Sequence, residues 1–340
     1  MTNNGIITRE IKTDQKFSLK RFFLKWEWML VVILVGINIM NFNTSVNYGD
    51  YNNIMEALKM FLDKALMVFP MMLVILLGDI DVSVASTMAL SGVIMGVAYN
   101  AGVPMPIAIL LALLVGTICG FVNGLILVKF KELSAVIVTI STMIIYRGIA
   151  SIILADGATG NFPSWFQYFG WGQIGNIPFI LAFFIIEAAI FAYIIHKTKF
   201  GRRVYAIGNN STTSRFSGIK VDKIRLIIFT LSGLFAAVSA IFLTSKMGSA
   251  RPSMAKGYEM DVIAMVVLGG ISTSGGKGNV VGAILSIFIV GLLRYGLGLI
   301  NVPSQTIMII VGALLVVAVA IPNMKDFISE TKLYKMLVKK

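Results

Sequence analysis

Only one cysteine (Cys119) and one histidine (His196) occur among the 340 residues. That scarcity excludes a disulfide framework and a Cys/His metal site, each of which needs several such residues at set spacings. Charge is thin as well: Asp, Glu, Lys and Arg make up 13% of the chain, about half the roughly 25% of an ordinary soluble domain. A soluble fold of this length would lack the polar surface needed to face water. No pair of carboxylates, His–Ser or Cys–His arrangement supports catalysis, so no enzyme is expected. The run LGGISTSGGKG at 268–278 fails as a phosphate loop. Ile271 stands where its first glycine belongs, and Gly278 follows Lys277 in place of Ser or Thr. No other nucleotide motif occurs, so any ATP would be brought by a separate subunit.

What the chain does have is hydrophobic sequence, 57% by composition with 22 Phe and 19 Met, gathered in long runs. About 20 apolar residues carry a helix across a bilayer core. Candidate spans fall at 28–40 with its flanks, 61–77, 82–99, 106–128, 133–154, 178–195, 224–244, 262–271, 280–300 and 306–321. The expected fold is an all-α integral membrane protein of about ten transmembrane helices. Some are short or broken by glycine, which is tolerated where neighbours satisfy the backbone. The glycine-rich run at 268–278 reads as a flexible or re-entrant break between two of them. The first 27 residues are polar and basic, with no apolar stretch before a small-residue cleavage site, so the first span is expected to direct insertion.

The net charge of +13 matters through its distribution and does not call for a nucleic-acid partner. Lys and Arg gather in the N-terminal tail, at Lys129 and Lys131, from Lys197 to Arg225, and in the C-terminal tail. With ten spans these segments share one side, which the positive-inside bias makes the cytoplasm. Both termini are then cytoplasmic, with a basic tail at 1–27, a transmembrane domain at 28–322 and a second basic tail at 323–340. The outside loop 245–260 breaks the pattern with Lys246, Arg251 and Lys256. Either the topology differs there, or a basic loop meets an acidic soluble partner outside. Gly116, Gly120 and Gly124 mark a helix face made for close approach, as do the pairs Gly92/Gly96 and Gly278/Gly282.

Two polar clusters stand out. The run GDIDVS at 78–83 sets Asp79 and Asp81 between apolar stretches. A carboxylate at mid-bilayer costs roughly 2.5–3.5 kcal/mol on insertion scales. These acids therefore sit at the interface, with Asp81 or Ser83 capping the next helix, or they belong to a substrate path. Asn123, Thr139 and Ser141 are candidates for that path or for bonds between helices, and Arg147 is expected to snorkel outward. In the second cluster, 199–225, Asn210 can cap a short helix at 211–217 and Gly218 can end it in the left-handed conformation. Two turns of helix are marginal alone, so this one is expected to dock onto another protein, with Phe216 as an apolar knob and Arg215 as a charged contact.

In order along the chain stand GDIDVSVAS (78–86), FVNGL (121–125), VTISTM (138–143) with YRG (146–148), FGRRVYAIGN (200–209) running to SGI (217–219), and VLGGI (267–271) with GGKG (275–278). Together these resemble the motifs of ribose-type permeases of bacterial ATP-binding-cassette importers, from about Phe61 to Ile321. The runs GVPMP (102–106), GSAR (248–251) and VPSQ (302–305) look nearest to autoinducer-2 permeases, then rhamnose permeases. The sequence departs from the family pattern at Asp79, Ala85, Glu132 to Ala135, Thr213 and Ser214.

The resemblance implies a multi-pass protein of the bacterial plasma (inner) membrane, surrounded by lipid, that binds no cofactor itself. ATP and Mg would sit on a cytoplasmic ATP-binding subunit. A second permease subunit, identical or related, and an extracytoplasmic solute-binding protein complete the set. The coupling segment would be 199–225, with Gly208, Asn209, Asn210, Arg215, Phe216, Ser217 and Gly218 at the ATPase contact. The solute would be a small sugar or sugar-like molecule of the autoinducer-2, rhamnose or ribose type. Other readings are a nucleoside or branched-chain amino acid permease, or an ion-coupled secondary transporter using Asp79 and Asp81.

Overall fold

Long apolar runs become helices because a helix satisfies every backbone N–H and C=O within itself, the requirement for polypeptide in lipid. The computed structural model describes residues 26–45, 48–314 and 316. The expected basic tails lie outside the described residues, apart from Trp26 and Glu27. The helices are α1 Trp26–Thr44, α2 Tyr51–Ala65, α3 Val68–Leu76, α4 Val84–Asn100, α5 Met105–Lys129 and α6 Ala135–Leu154. A connecting segment follows with β1 Thr159–Gly160, a 3-10 turn Ser164–Gln167, α7 Tyr168–Trp171, β2 Gln173–Ile174 and β3 Ile177–Pro178. Then come α8 Phe179–Lys197, α9 Lys199–Asn209, α10 Ser211–Phe216, α11 Val221–Met247, β4 Ser249–Ala250, α12 Tyr258–Leu268, α13 Val280–Leu299 and α14 Ser304–Leu314.

Six of these, α1, α5, α6, α8, α11 and α13, are long and apolar enough to cross a membrane. The expected span at 61–77 is instead divided between α2 and α3. Pro70 has no N–H to offer the Leu66 carbonyl and its ring crowds that oxygen, so the chain breaks at Leu66 and Met67. The span expected at 262–271 is the eleven-residue α12. Of the last expected span, 306–321, residues beyond 316 lie outside the described residues.

The core lies around α3, whose nine residues are all buried, and the first half of α4. A helix apolar all round belongs in the middle of a bundle. Around this pair, α11 and α13 bury 61% of their most apolar stretches, while the other four long helices bury 17–33%. Outward-facing Ile137, Ile144 and Ile152 of α6 are 62–86% exposed. In water such a stripe would be an aggregation surface; a bilayer or a neighbouring subunit can cover it.

The glycine face of α5 packs on α11. A Cβ on Gly120 would stand 2.3 Å from the Phe229 carbonyl, and one on Gly233 would stand 2.1 Å from the Gly116 carbonyl. Hydrophobicity does not distinguish a neighbouring helix from lipid, so this backbone contact supplies the packing. Gly92 and Gly96 serve loops as much as helices, meeting Met254 and Thr159.

The two ends of the bundle differ. One gathers the start of α1, the turn after α3, the α5–α6 turn, α9, α10 and the glycine-rich loop 269–279. Trp26 Nε1 donates to Leu268 O (2.9 Å) there, and Gly276 N donates to Leu76 O (2.9 Å). At the other end β1 pairs antiparallel with β4, Thr159 opposite Ala250, and Asn100 Nδ2 donates to Thr159 Oγ1 (2.6 Å).

Candidate functional site

The 199–225 segment forms the most built-up surface at the first end. Thr198 caps α9 by accepting from Gly201 N (3.3 Å). The last turn of α9 lies flat on two other motifs: a Cβ on Gly208 would stand 1.9 Å from Leu76 O and 2.4 Å from Gly276 N. Only glycine lets three backbones meet there. Tyr205 OH donates to Gly278 O (2.7 Å), and Asn209 Nδ2 donates to Tyr205 O (2.9 Å) and reaches Gly276 O (3.4 Å). Burial pushes the Tyr205 phenol above its usual range, so it stays a donor.

The short helix forms as the capping pattern implies, one residue shorter than expected. Asn210 Oδ1 accepts from Thr213 N (2.8 Å), and Gly218 takes φ +79° while Gly218 N donates to Arg215 O and Ile219 N to Ser214 O (both 3.0 Å). Ser217 Oγ donates to Thr213 O (3.0 Å). Phe216 is 89% exposed. Arg215 is not the free contact expected from its position. Its guanidinium forks onto Asp222, with Nη1 at 3.0 Å from Oδ2, and Lys131 Nζ adds a 3.5 Å pair to the same carboxylate. The charge Arg215 carries is thereby spent on folding the segment back onto α11.

Asp79 and Asp81 have different partners, which neighbouring positions do not reveal. Asp79 is gripped by Arg225 through two bonds of 2.7 Å, Nε to Oδ2 and Nη2 to Oδ1, while Arg225 Nη1 donates to Leu127 O (3.1 Å). Asp79, Lys131, Ser211, Arg215 and Arg225 line a cleft of about 470 Å³ beside α10. Asp81, only 1% exposed, enters a polar network deep among α4, α5, α6 and α11. Its Oδ1 accepts from Ser83 Oγ (2.6 Å) and Ser83 N (3.0 Å), and its Oδ2 accepts from Ser232 Oγ (2.9 Å). Asn123 Nδ2 donates to Ser83 Oγ (2.8 Å), and Tyr146 OH lies 3.0 Å from both Asn123 Oδ1 and Cys119 O.

Several expectations change here. Neither Asp81 nor Ser83 caps α4, which has no side-chain cap, because their oxygens serve the network. Thr139 Oγ1 accepts from Val82 N (3.2 Å) and donates to Ala135 O (2.8 Å), so it too is packed away. Ser141 alone of the path candidates is exposed, on the outward stripe of α6. Arg147 reaches toward the end of the bundle opposite α10, where its Nη1 donates to Pro252 O (2.6 Å) and Met254 O (2.9 Å). Lys246 is no loop cation, since its Nζ pairs with buried Asp63 (3.1 Å) and donates to Lys59 O and Met60 O (3.2 Å each). Arg251 and Lys256 remain exposed.

Sequence reasoning gave no role to Tyr205 or Asp222, and it singled out the glycines of 275–278 without linking them to α9. Arg225 appeared there as one more loop cation, with no local pattern linking it to Asp79 across 146 residues. Among the described residues, no three His, Cys, Asp or Glu side chains are grouped to hold a metal ion.

Residues 53–319 match the family model described as branched-chain amino acid transport system / permease component. Ribose import permease protein RbsC of Escherichia coli (strain K12) is 36% identical over 324 residues, 92% of this chain and 100% of the relative. Autoinducer 2 import system permease protein LsrD of Yersinia enterocolitica is 35% identical over 302 residues, 86% of this chain and 90% of the relative. RbsC of Bacillus subtilis (strain 168) is 36% identical over 300 residues, 87% and 91% respectively. No solved structure matches the chain.

Proposed function

From the premise that the chain belongs to this permease family, and is a multi-pass membrane permease component and not itself a catalyst, we propose that it passes a small sugar or sugar-like solute, of the ribose or autoinducer 2 type, in a bacterial ATP-driven importer. In such systems the ATPase is a separate subunit, so ATP and Mg belong to a partner. The chain would cross the membrane about ten times, with α2–α3, α4, α12 and α14 as the shorter or broken crossings. Both termini would be cytoplasmic, and the end that carries α9 and α10 would face the ATPase.

One observation carries the coupling role. Phe216 is almost wholly exposed at the tip of a helix capped at both ends. An apolar ring held out on a rigid mount suits a partner's groove. Closure of the ATPase would push α10, and the glycine contact at Gly208 would pass that push to α3 and to the loop joining α12 and α13. Asn209, Asn210, Ser217 and Gly218 act as the mount, and Arg215 acts through Asp222. Of the proposed substrate path, Asp79, Asp81, Ser83, Asn123 and Thr139 would form packing that must loosen for passage, while Ser141, exposed on α6, would be open to a second permease subunit. Arg251 and Lys256 suit an acidic face of a solute-binding protein.

The test is Phe216→Ala in the full chain. An interface anchor is worth about 2 kcal/mol or more, so affinity for the ATPase subunit should fall about 30-fold, with membrane insertion and thermal midpoint unchanged. Unaltered affinity would remove the coupling assignment.

A further inference from the structure

At the end opposite α10, a cleft of about 420 Å³ opens between the last turns of α6 and the loop leading into α12. That volume lies within the roughly 300–1,000 Å³ of small-molecule sites. Ile144 and Pro252 give it an apolar wall, and Arg147, Asp156, Lys256 and Glu259 bring two cations and two anions into the same space.

Arg147 lies within electrostatic reach of Glu259. No ion pair joins any two of the four among the described residues. Arg147 is committed to the Pro252 and Met254 carbonyls and so ties the loop to α6. Glu259 accepts from Gly257 N through Oε2 (3.1 Å), and its Oε1 makes no hydrogen bond among the described residues. Asp156 and Lys256 make no hydrogen bond at all among the described residues. Each follows an alanine at positive φ, Ala155 at φ 49° and Ala255 at φ 56°. A non-glycine residue seldom takes a positive φ, and the surrounding packing must sustain it. Behind the cleft wall, α12 is anchored two residues past Glu259. Asp261 takes Lys64 Nζ (2.8 Å) and the Arg294 guanidinium, and Tyr258 OH reaches Asp63 Oδ2 (3.3 Å). The wall is therefore preorganised.

We infer that this cleft is a vestibule that receives a neutral polyhydroxylated solute, with Asp156, Lys256 and Glu259 hydrogen-bonding its hydroxyls and Arg147 positioning the loop. Balanced charge disfavours a net anion or cation. Carboxylate oxygens accept from hydroxyl pairs and an ammonium donates to them, while the apolar wall meets carbon-bound hydrogens. The inference rests on the importer reading above and adds the receiving site and the solute chemistry.

Ser151 also lines the cleft, and the only native cysteine, Cys119, is buried, so Ser151→Cys adds a single reachable thiol. The variant would be assembled with its ATPase, second permease subunit and binding protein, then treated with a membrane-impermeant methanethiosulfonate. Modification should lower D-ribose uptake at least tenfold, leave binding-protein-stimulated ATP hydrolysis within twofold, and be slowed at least threefold by added D-ribose but not by leucine. Full uptake after complete modification would overturn the vestibule. Parallel loss of stimulated hydrolysis would make the cleft a docking face, and protection by leucine instead of ribose would reject the solute class. An unmodified importer that takes up no sugar would defeat the importer reading instead, and equal modification rates with and without ribose would still overturn the vestibule.

Discussion

Gly208→Ala puts one methyl group where three backbones meet. The new Cβ would stand 1.9 Å from Leu76 O and 2.4 Å from Gly276 N, against 3.4 Å for an ordinary contact. Helix α9 must back away by about 1.5 Å, or the 2.9 Å bond from Gly276 N to Leu76 O must open. Overpacking costs about 1–3 kcal/mol, and the lost bond adds ~0.5–1.5 kcal/mol. A coupled state that needs this contact would then be depopulated about 10- to 1,600-fold, at ~1.4 kcal/mol per factor of ten. In liposomes containing the assembled importer, transport and stimulated hydrolysis should both fall more than tenfold, while the chain still inserts. Gly218→Ala is the control: that residue has φ +79° but no atom within 4 Å of a new Cβ, so its cost is limited to roughly 1–2 kcal/mol of backbone strain. Transport within twofold of the parent and an unchanged thermal midpoint in Gly208→Ala would refute transmission through this contact. A larger defect in Gly218→Ala would point to the cap instead.

Two further predictions concern the same end of the bundle. Asp79→Asn or Arg225→Gln alone should lower stability by about 2–3 kcal/mol, somewhat less than a fully buried pair, because the two side chains are 14% and 20% exposed. The double variant should recover all but about 1 kcal/mol; additive losses of thermal midpoint would show that the pair is uncoupled. Tyr205→Phe removes the 2.7 Å bond to Gly278 O and should cost about 0.5–1.5 kcal/mol, read as faster amide exchange at 275–279. Burial raises the Tyr205 value above 10.0, so the protonated form favours the folded state. The difference between parent and variant should be constant from pH 6 to 9 and shrink only above pH 10; a change near neutrality would contradict it.

The membrane character was legible because it depends on composition and run length alone. The α10 cap was legible because Asn210 and Gly218 act on backbone groups within four residues of themselves. The α5 glycine face could be read from the four-residue spacing of Gly116, Gly120 and Gly124, but its partner could not. Gly233 stands alone in α11, with no repeat to announce it. The division at 66–67 had a visible cause in Pro70, yet the apolar run around it reads as a single span.

By itself, then, the sequence determined the solvent, the class of fold, the local caps and the family, because each rests on residue type, short spacing or motif order. Only the tertiary structure decided which carboxylate serves which partner. Asp79 finds Arg225 at 146 residues' separation and Asp81 finds Ser232 at 151, so two acids two positions apart acquire an ion pair and a buried hydroxyl network. Tertiary packing likewise drew Lys246 out of the 245–260 loop to Asp63, and it assembled the cleft opposite α10 from α6 and a loop some hundred residues later. Charges in a low-dielectric interior must find partners, and the available partner depends on which helices pack together, which no local pattern encodes.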